Sequence, residues 1–216
     1  TPNYVFDFGL DHKANLLSLA KQTGLYANVI EHDANLALPF ENSRFKTVFS
    51  NILYWLDNPT TTLREINRIL KNNGRAIICV PDAKFKDYCF TYGWKEKGSL
   101  LLEKLNRGRS QNIQQTFSGE SFSKLAESTG FAITHHSTYL SPTTLKVWDV
   151  GLRPLSPILI KMANKLNPED RLLIKADWID TVLELLEPLY EMDTNSTEDG
   201  GFHLFVLTKI ENDYTN

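Results

Sequence analysis

Residues 45–80, FKTVFSNILYWLDNPTTTLREINRILKNNGRAIICV, decide the fold that the sequence predicts. The runs at 45–49 and 75–80 are short and continuously apolar, which is typical of buried strands. Between them, residues 60–70 carry an apolar stripe at helical spacing, with threonines that can cap its start and Gly74 just beyond its end. A strand, a helix and a strand in this order predict a parallel βαβ unit.

The same alternation extends to both sides of this unit. Upstream, residues 4–10 and 28–30 read as strands around a helix that stops at Gly24. Downstream, a helix to residue 129 and a strand over 131–140 precede a long helical stretch broken by prolines, and 202–210 form a last strand. We therefore expect an α/β fold with a mostly parallel sheet, an antiparallel last strand and a helical insertion before it.

Composition excludes several classes of protein. A net charge of −3 over 216 residues gives no electrostatic reason to expect a nucleic acid or an anionic membrane as partner. Cys79 and Cys89 are too few for a disulfide framework, and the histidines and cysteines lack zinc-type spacing. No apolar run reaches about 18 residues and no signal peptide is recognisable, which predicts no integral membrane segment and a cytoplasmic location.

Five motifs, in their order and spacing, resemble class I S-adenosylmethionine-dependent methyltransferases of the type 11 kind. That family usually shows a strand ending in an acidic residue, an Asp after the next strand, LPF, a strand with F-D-x-V, and E-x-x-R-x-L-K-x-G-G. The matching segments here are Gly9-Leu10-Asp11, Glu31-His32-Asp33-Ala34, Leu38-Pro39-Phe40, Phe45-Lys46-Thr47-Val48-Phe49-Ser50-Asn51 and residues 63–75. Residues 121–131 follow the family more loosely.

The resemblance implies a Rossmann-like methyltransferase sheet and an enzyme that uses S-adenosylmethionine as its cofactor. The expected acceptor is a small molecule or a glycan, the latter by analogy of fold alone. We expect one domain over residues 1–216: a cofactor-side half at 1–92, a substrate-side half at 93–142, the helical insertion at 143–194 and the final strand at 202–210.

The resemblance also assigns residues to the cofactor. Asp11 is placed to accept hydrogen bonds from the ribose hydroxyls and Asp33 to accept from the adenine amino group. The backbone N–H of Ala34 is the usual partner of a ring nitrogen. The remaining candidates on the cofactor side are His12, Ser50 and Asn51. Capping or turn-forming aspartates and ordinary loop polarity are the alternative interpretations of these positions.

Some features depart from the family pattern. The glycine-rich loop D-x-G-x-G is absent, since one glycine followed by Leu10 is poor material for a tight loop against a ligand. The spacing from Asp11 to Asp33 matches the second and third strands of the family. We therefore expect the first strand, its loop and the first helix to be missing, either because the chain is a fragment or because its gene model begins late. Lys46 stands where the family usually has an acidic residue, and Trp55 stands where many members have a histidine.

The acceptor pocket should form from the ends of the fourth and fifth family strands and from the insertion. Its candidate residues are Tyr54, Trp55, Asp82, Tyr139 and Trp148, although most aromatic side chains belong to cores. No catalytic residue is assigned: His12, His135, His136 and His203 are candidate bases, and each is more commonly a packed or surface side chain.

Two questions stay open from the sequence. The apolar face of the insertion can cover the domain's own core, contact a second subunit in a homodimer, or lie on a membrane surface. The missing glycine loop also leaves an alternative function, a catalytically inactive methyltransferase-like binding or scaffold subunit.

Overall fold

The computed structural model describes residues 4–89, 113–196 and 199–210. Its six strands are β1 (Phe6–Asp11), β2 (Tyr26–Glu31), β3 (Phe45–Ser50), β4 (Leu70–Pro81), β5 (Phe131–Tyr139) and β6 (Phe202–Lys209). They form a two-stranded sheet of β1 and β2 and a four-stranded sheet in the order β3-β4-β6-β5.

Seven α-helices are present among the described residues, and they connect or follow these strands. They are α1 (Ala14–Gln22), α2 (Pro59–Ile69), α3 (Phe85–Tyr88), α4 (Gly119–Ser128), α5 (Pro142–Val147), α6 (Arg153–Ala163) and α7 (Pro168–Thr194). A 3₁₀ turn at Leu53–Trp55 precedes α2, and a π-helical segment at Trp148–Leu152 links α5 to α6.

Strand directions confirm the predicted fold class. β1 and β2 are parallel, as are β3 and β4, whereas β6 runs antiparallel to both of its neighbours, β4 and β5. The final strand therefore lies inside the sheet and leaves β5 at its edge. The helices α5, α6 and α7 occupy the predicted position of the insertion before this strand.

The division into two sheets was not predicted. Among the described residues, no strand pairs with the edge of β1 opposite β2 or with the edge of β3 opposite β4. The two sheets meet instead through the rings of Phe8, Phe40 and Phe45, whose centroids lie 4.9–5.8 Å apart. The guanidinium of Arg44 lies 4.8 Å from the centre of the Phe8 ring. These contacts stabilise the junction by ring packing and cation–π attraction.

One face of the four-stranded sheet carries the main core. Phe122 of α4 stacks on Phe205 of β6 with ring centroids 4.5 Å apart, and Phe131 and Ile78 are also fully buried. Leu63 of α2 is fully buried as predicted from the apolar stripe. Burial of each such side chain contributes about 1.5–3 kcal/mol.

The ends of α2 differ from the prediction. Asn58 caps the helix, since its Oδ1 accepts a hydrogen bond from the Thr61 N–H at 3.1 Å, and Pro59 follows as the first helical residue. Gly74 does not stop the helix but lies within β4. A Cβ at Gly74 would lie 2.7 Å from the Lys71 carbonyl oxygen, so the tight backbone there requires glycine.

The helix α7 is anchored mainly at its end. The carboxylate of Asp193 accepts hydrogen bonds from the N–H groups of Leu140 and Ser141 and from the Thr144 hydroxyl, at 2.6–2.9 Å. None of the 27 residues of α7 is buried. No helix in the described part of the chain is long and apolar enough to cross a membrane.

Candidate functional site

The carboxyl end of β1 presents Asp11. Its Oδ1 accepts a hydrogen bond from the Lys13 N–H at 2.8 Å, and no described residue donates to Oδ2. The side chain is 39% exposed. His12 Nδ1 lies 3.6 Å from Asp11 Oδ1, which is too long for a hydrogen bond, and its ring points mostly into solvent. Asp11 therefore has an oxygen available for a ligand, whereas His12 is not held in place.

The neighbouring strand end presents Asp33. Its Oδ1 accepts from both the backbone and side-chain nitrogens of Asn35, at 2.9 and 3.1 Å. This is the turn-forming role, and it uses only one of the two carboxylate oxygens. Ala34 is buried, and its carbonyl accepts a bond from the Thr62 hydroxyl at 3.4 Å.

Backbone contacts join these strand ends at one edge of the molecule. Asp11 lies opposite Glu31 in register, and the His32 N–H donates to the Asp11 carbonyl at 3.0 Å. Asn35 Oδ1 accepts from the Asp57 N–H, which connects the end of β2 with the loop that follows β3. At the end of β3, Ser50 is buried and Asn51 is exposed. The predicted cofactor residues thus occupy neighbouring strand ends.

An ion pair that the sequence analysis missed fixes the LPF segment. Arg68 and Glu65 of α2 form two hydrogen bonds of 2.8 and 2.9 Å. Arg68 also donates to the carbonyls of Leu38 and Phe40, and Glu65 Oε2 accepts from the Leu38 N–H. The bond from Arg68 lowers the pKa of Glu65. The E-x-x-R motif was the available signal, because its i,i+3 spacing places both side chains on one helix face.

Gly9 does not belong to a ligand-binding loop. It lies inside β1, where a Cβ would come within 2.9 Å of the Tyr26 ring. The glycine therefore makes room for an aromatic side chain of the adjacent strand. The hydrogen-bonding groups at the ends of β1 and β2 fit an adenosine. Among the described residues, no glycine-rich turn is present that would hold the amino-acid part of the cofactor.

Three candidate acceptor residues lie together at the carboxyl end of β4. Tyr54 and Tyr139 pack on Phe202 with centroid distances of 6.2 and 5.6 Å, and Trp55 lies 5.1 Å from Tyr54. The half-exposed Trp55 gives this aromatic cluster a face toward solvent.

Burial keeps the polar groups of this cluster uncharged. It raises the pKa of the Tyr139 phenol. Burial likewise raises the pKa of Tyr54 and of the Cys79 thiol. At neutral pH these side chains act as neutral hydrogen-bonding groups rather than as bases or nucleophiles.

The other two acceptor candidates lie in different surroundings. Asp82 Oδ1 accepts from the Lys84 N–H at 2.7 Å, and its Oδ2 lies 2.7 Å from Nε2 of the buried His203. Trp148 lies on the π-helical segment, half exposed, and no ring contact or hydrogen bond joins it to Tyr54, Tyr139 or Asp82. In the described ranges, no group of three or more histidines, cysteines or carboxylates is arranged to hold a metal ion.

Comparison with known proteins gives a family match over residues 7–78 and structures with a similar fold. Residues 7–78 match the type 11 family model described as a methyltransferase domain. None of the curated proteins matches the chain significantly. This family match confirms the resemblance inferred from the motifs.

Several solved structures share the fold at low sequence identity. One is the methyltransferase bound to the Haloferax volcanii activator Trm112 (18% identity, 97% of this chain, 74% of that chain, TM-score 0.55). Another is an S-adenosylmethionine-dependent methyltransferase from Thermotoga maritima (16%, 95%, 73%, 0.52). A third is the [4+2]-cyclase SpnF (16%, 96%, 67%, 0.56). At these identities the likeness establishes the Rossmann-like fold alone.

Proposed function

We propose that this chain, whose residues 7–78 match the type 11 methyltransferase domain, transfers a methyl group from S-adenosylmethionine to a small-molecule or glycan acceptor. The observation that carries this proposal is the pair of carboxylates at the adjacent ends of β1 and β2, within the matched segment. Asp11 and Asp33 each keep one oxygen that no described residue occupies.

These residues suit the adenosine part of the cofactor. The free oxygen of Asp11 can accept from a ribose hydroxyl, and that of Asp33 from the adenine amino group. The N–H of Ala34 can donate to a ring nitrogen, and Ser50 and Asn51 lie at the end of the next strand. S-adenosylmethionine, when bound, supplies a methyl group on a positively charged sulfur.

The acceptor residues suit an uncharged or polar organic molecule. Tyr54, Trp55 and Tyr139 offer aromatic faces together with neutral phenols, a combination that binds sugars and small ring systems. Asp82 supplies a carboxylate at the same strand end, and we retain Trp148 as a candidate from the insertion. Methyl transfer itself needs alignment of the acceptor and exclusion of water.

Calorimetric titration with adenosine and with S-adenosylhomocysteine tests the cofactor site. We expect both to bind, with similar affinity, because the residues proposed for the cofactor are all assigned to its adenosine part. Asp11→Asn should weaken binding of both at least tenfold, since a hydrogen bond to a charged group contributes about 1.5–3 kcal/mol. Asp7→Asn, on the same strand and also exposed, is the matched control and should bind as the parent does.

Two results would count against the proposal. An Asp11→Asn variant with unchanged affinity would remove Asp11 from the ribose site. Binding of neither adenosine nor S-adenosylhomocysteine would contradict the proposed methyltransferase activity. It would support the alternative of an inactive scaffold subunit, which the family match does not favour.

A further inference from the structure

Three titratable side chains form a continuous hydrogen-bonded series, from the residue that follows β4 across β6 to β5. Asp82 Oδ2 lies 2.7 Å from His203 Nε2, and His203 Nδ1 lies 3.0 Å from His136 Nε2. The side chain of His203 is 5% exposed and that of Asp82 is 14% exposed. His136 is exposed, so the hydrogen-bonded series leads from a nearly buried carboxylate to solvent.

The partners of His203 determine where its proton lies. Nε2 faces both the carboxylate of Asp82 and the carbonyl oxygen of Phe117, at 2.7 and 3.1 Å. A carbonyl oxygen only accepts, so Nε2 carries a hydrogen. In the neutral ring, Nδ1 then accepts from the Nε2–H of His136. This leaves His136 Nδ1 as an unprotonated nitrogen.

Packing holds the ring of His136 in one orientation. It stacks on Phe205 with a centroid distance of 4.2 Å and an interplanar angle of 3°. A Cβ placed on Gly119 would lie 3.0 Å from His136 Cε1, so this end of α4 fits closely against the ring. The ring therefore cannot turn to exchange its two nitrogens without disturbing these neighbours.

We propose that Asp82, His203 and His136 form one proton-accepting site, with His136 Nδ1 as the atom that takes up the proton. His136 can then pass its Nε2–H to His203 Nδ1, so that the positive charge lies on His203 beside the Asp82 carboxylate. The buried ion pair compensates the charge, as an Asp–His pair does for a base in other enzymes. His203 and Asp82 are positioning residues for His136.

The site includes one candidate acceptor residue, Asp82, and a loop links it to the aromatic cluster. The N–H groups of Gln114 and Gln115 donate to the Tyr54 carbonyl, and the same loop continues through Phe117, bound to Pro81, to Gly119 beside His136. One loop thus connects the aromatic cluster with the proton-accepting site.

A role in catalysis follows if the proposed function holds. The nucleophilic atom of the acceptor forms a bond to the methyl carbon, and the carbon–sulfur bond breaks with its electron pair remaining on sulfur. The proton of the acceptor goes to His136 Nδ1. Only acceptors that carry such a proton need this base, so the site fits a hydroxyl group.

Burial and two neighbouring histidines favour the neutral form of His136. Burial lowers its pKa, and the neighbouring His203 and His135 lower it further. From α4, Glu120 and Lys124 pair with each other in solvent, with 2.6 Å between their charged atoms. The carboxylate in the hydrogen-bonded series is Asp82, which contacts His203.

Nuclear magnetic resonance of the ¹⁵N-labelled imidazoles tests the site on the whole chain without ligand. At neutral pH we expect His203 and His136 both to carry hydrogen on Nε2, and His136 to titrate below the usual histidine range. Asp82→Asn should lower the pKa of His136, although Asp82 does not touch it. His135, on the same strand, is the internal control in the Asp82 variant.

Two observations would overturn the site: hydrogen on Nδ1 of neutral His136, or a His136 titration that Asp82→Asn leaves unchanged. A structural role alone would not couple the titration of His136 to Asp82. Because no cofactor is added, failure here contradicts this site, whereas failure of S-adenosylhomocysteine binding contradicts the proposed function.

Discussion

The two sheets differ in how well they are packed. In the four-stranded sheet, side chains of β4, β5 and β6 are fully buried against α2 and α4. In the two-stranded sheet, no residue of β1 or β2 is buried, and α1 buries only Leu17. The predicted cofactor ligands Asp11 and Asp33 thus lie on the weakly packed sheet, and the acceptor candidates on the firmly packed one. We infer that the acceptor side is preformed and that the cofactor side gains stability from its ligand.

Truncation of the main core should have the largest effect. Phe122→Ala removes a fully buried ring that packs on Phe117 and Phe205, and should lower the free energy of unfolding by about 3–5 kcal/mol. Leu17→Ala, in the helix α1 beside the two-stranded sheet, should cost about 2 kcal/mol, the low end for such a truncation. Urea unfolding followed by tryptophan fluorescence measures both. Equal losses would contradict the contrast between the sheets.

The ion pair between Arg68 and Glu65 should have the next largest effect. Arg68→Ala removes the bonds to the Leu38 and Phe40 carbonyls and leaves Glu65 without its partner. The free energy of unfolding should fall by about 2 kcal/mol. Arg64→Ala on the same helix, whose side chain is exposed, should change it little. Similar losses in both variants would mean that the LPF segment does not depend on this pair.

Much of the fold could be predicted because it depends on local patterns. The apolar stripe of α2, the glycine stop at Gly130 and the short apolar strands all derive from neighbouring residues, and the structure confirms them. Ser118 caps α4, since its Oγ accepts a hydrogen bond from the Ser121 N–H at 3.1 Å.

Long-range contacts escaped the sequence for a physical reason. In the series Asp82–His203–His136, His203 lies 121 positions from Asp82 and 67 positions from His136 along the sequence. Their pairing depends on which strands become neighbours. The insertion of β6 between β4 and β5 creates that contact. The division into two sheets has the same origin, since strand periodicity does not specify which edges pair.

Amide hydrogen exchange with and without S-adenosylhomocysteine tests the central claim most directly. We predict that the ligand slows exchange at residues 11–13, 32–35 and 50–52, because binding stabilises the weakly packed sheet and the strand ends beside it. Exchange around Asp82, Tyr139 and His203 should change little, since those residues are already held. Protection confined to the second group, with none at the ends of β1 and β2, would contradict the assignment of the cofactor side.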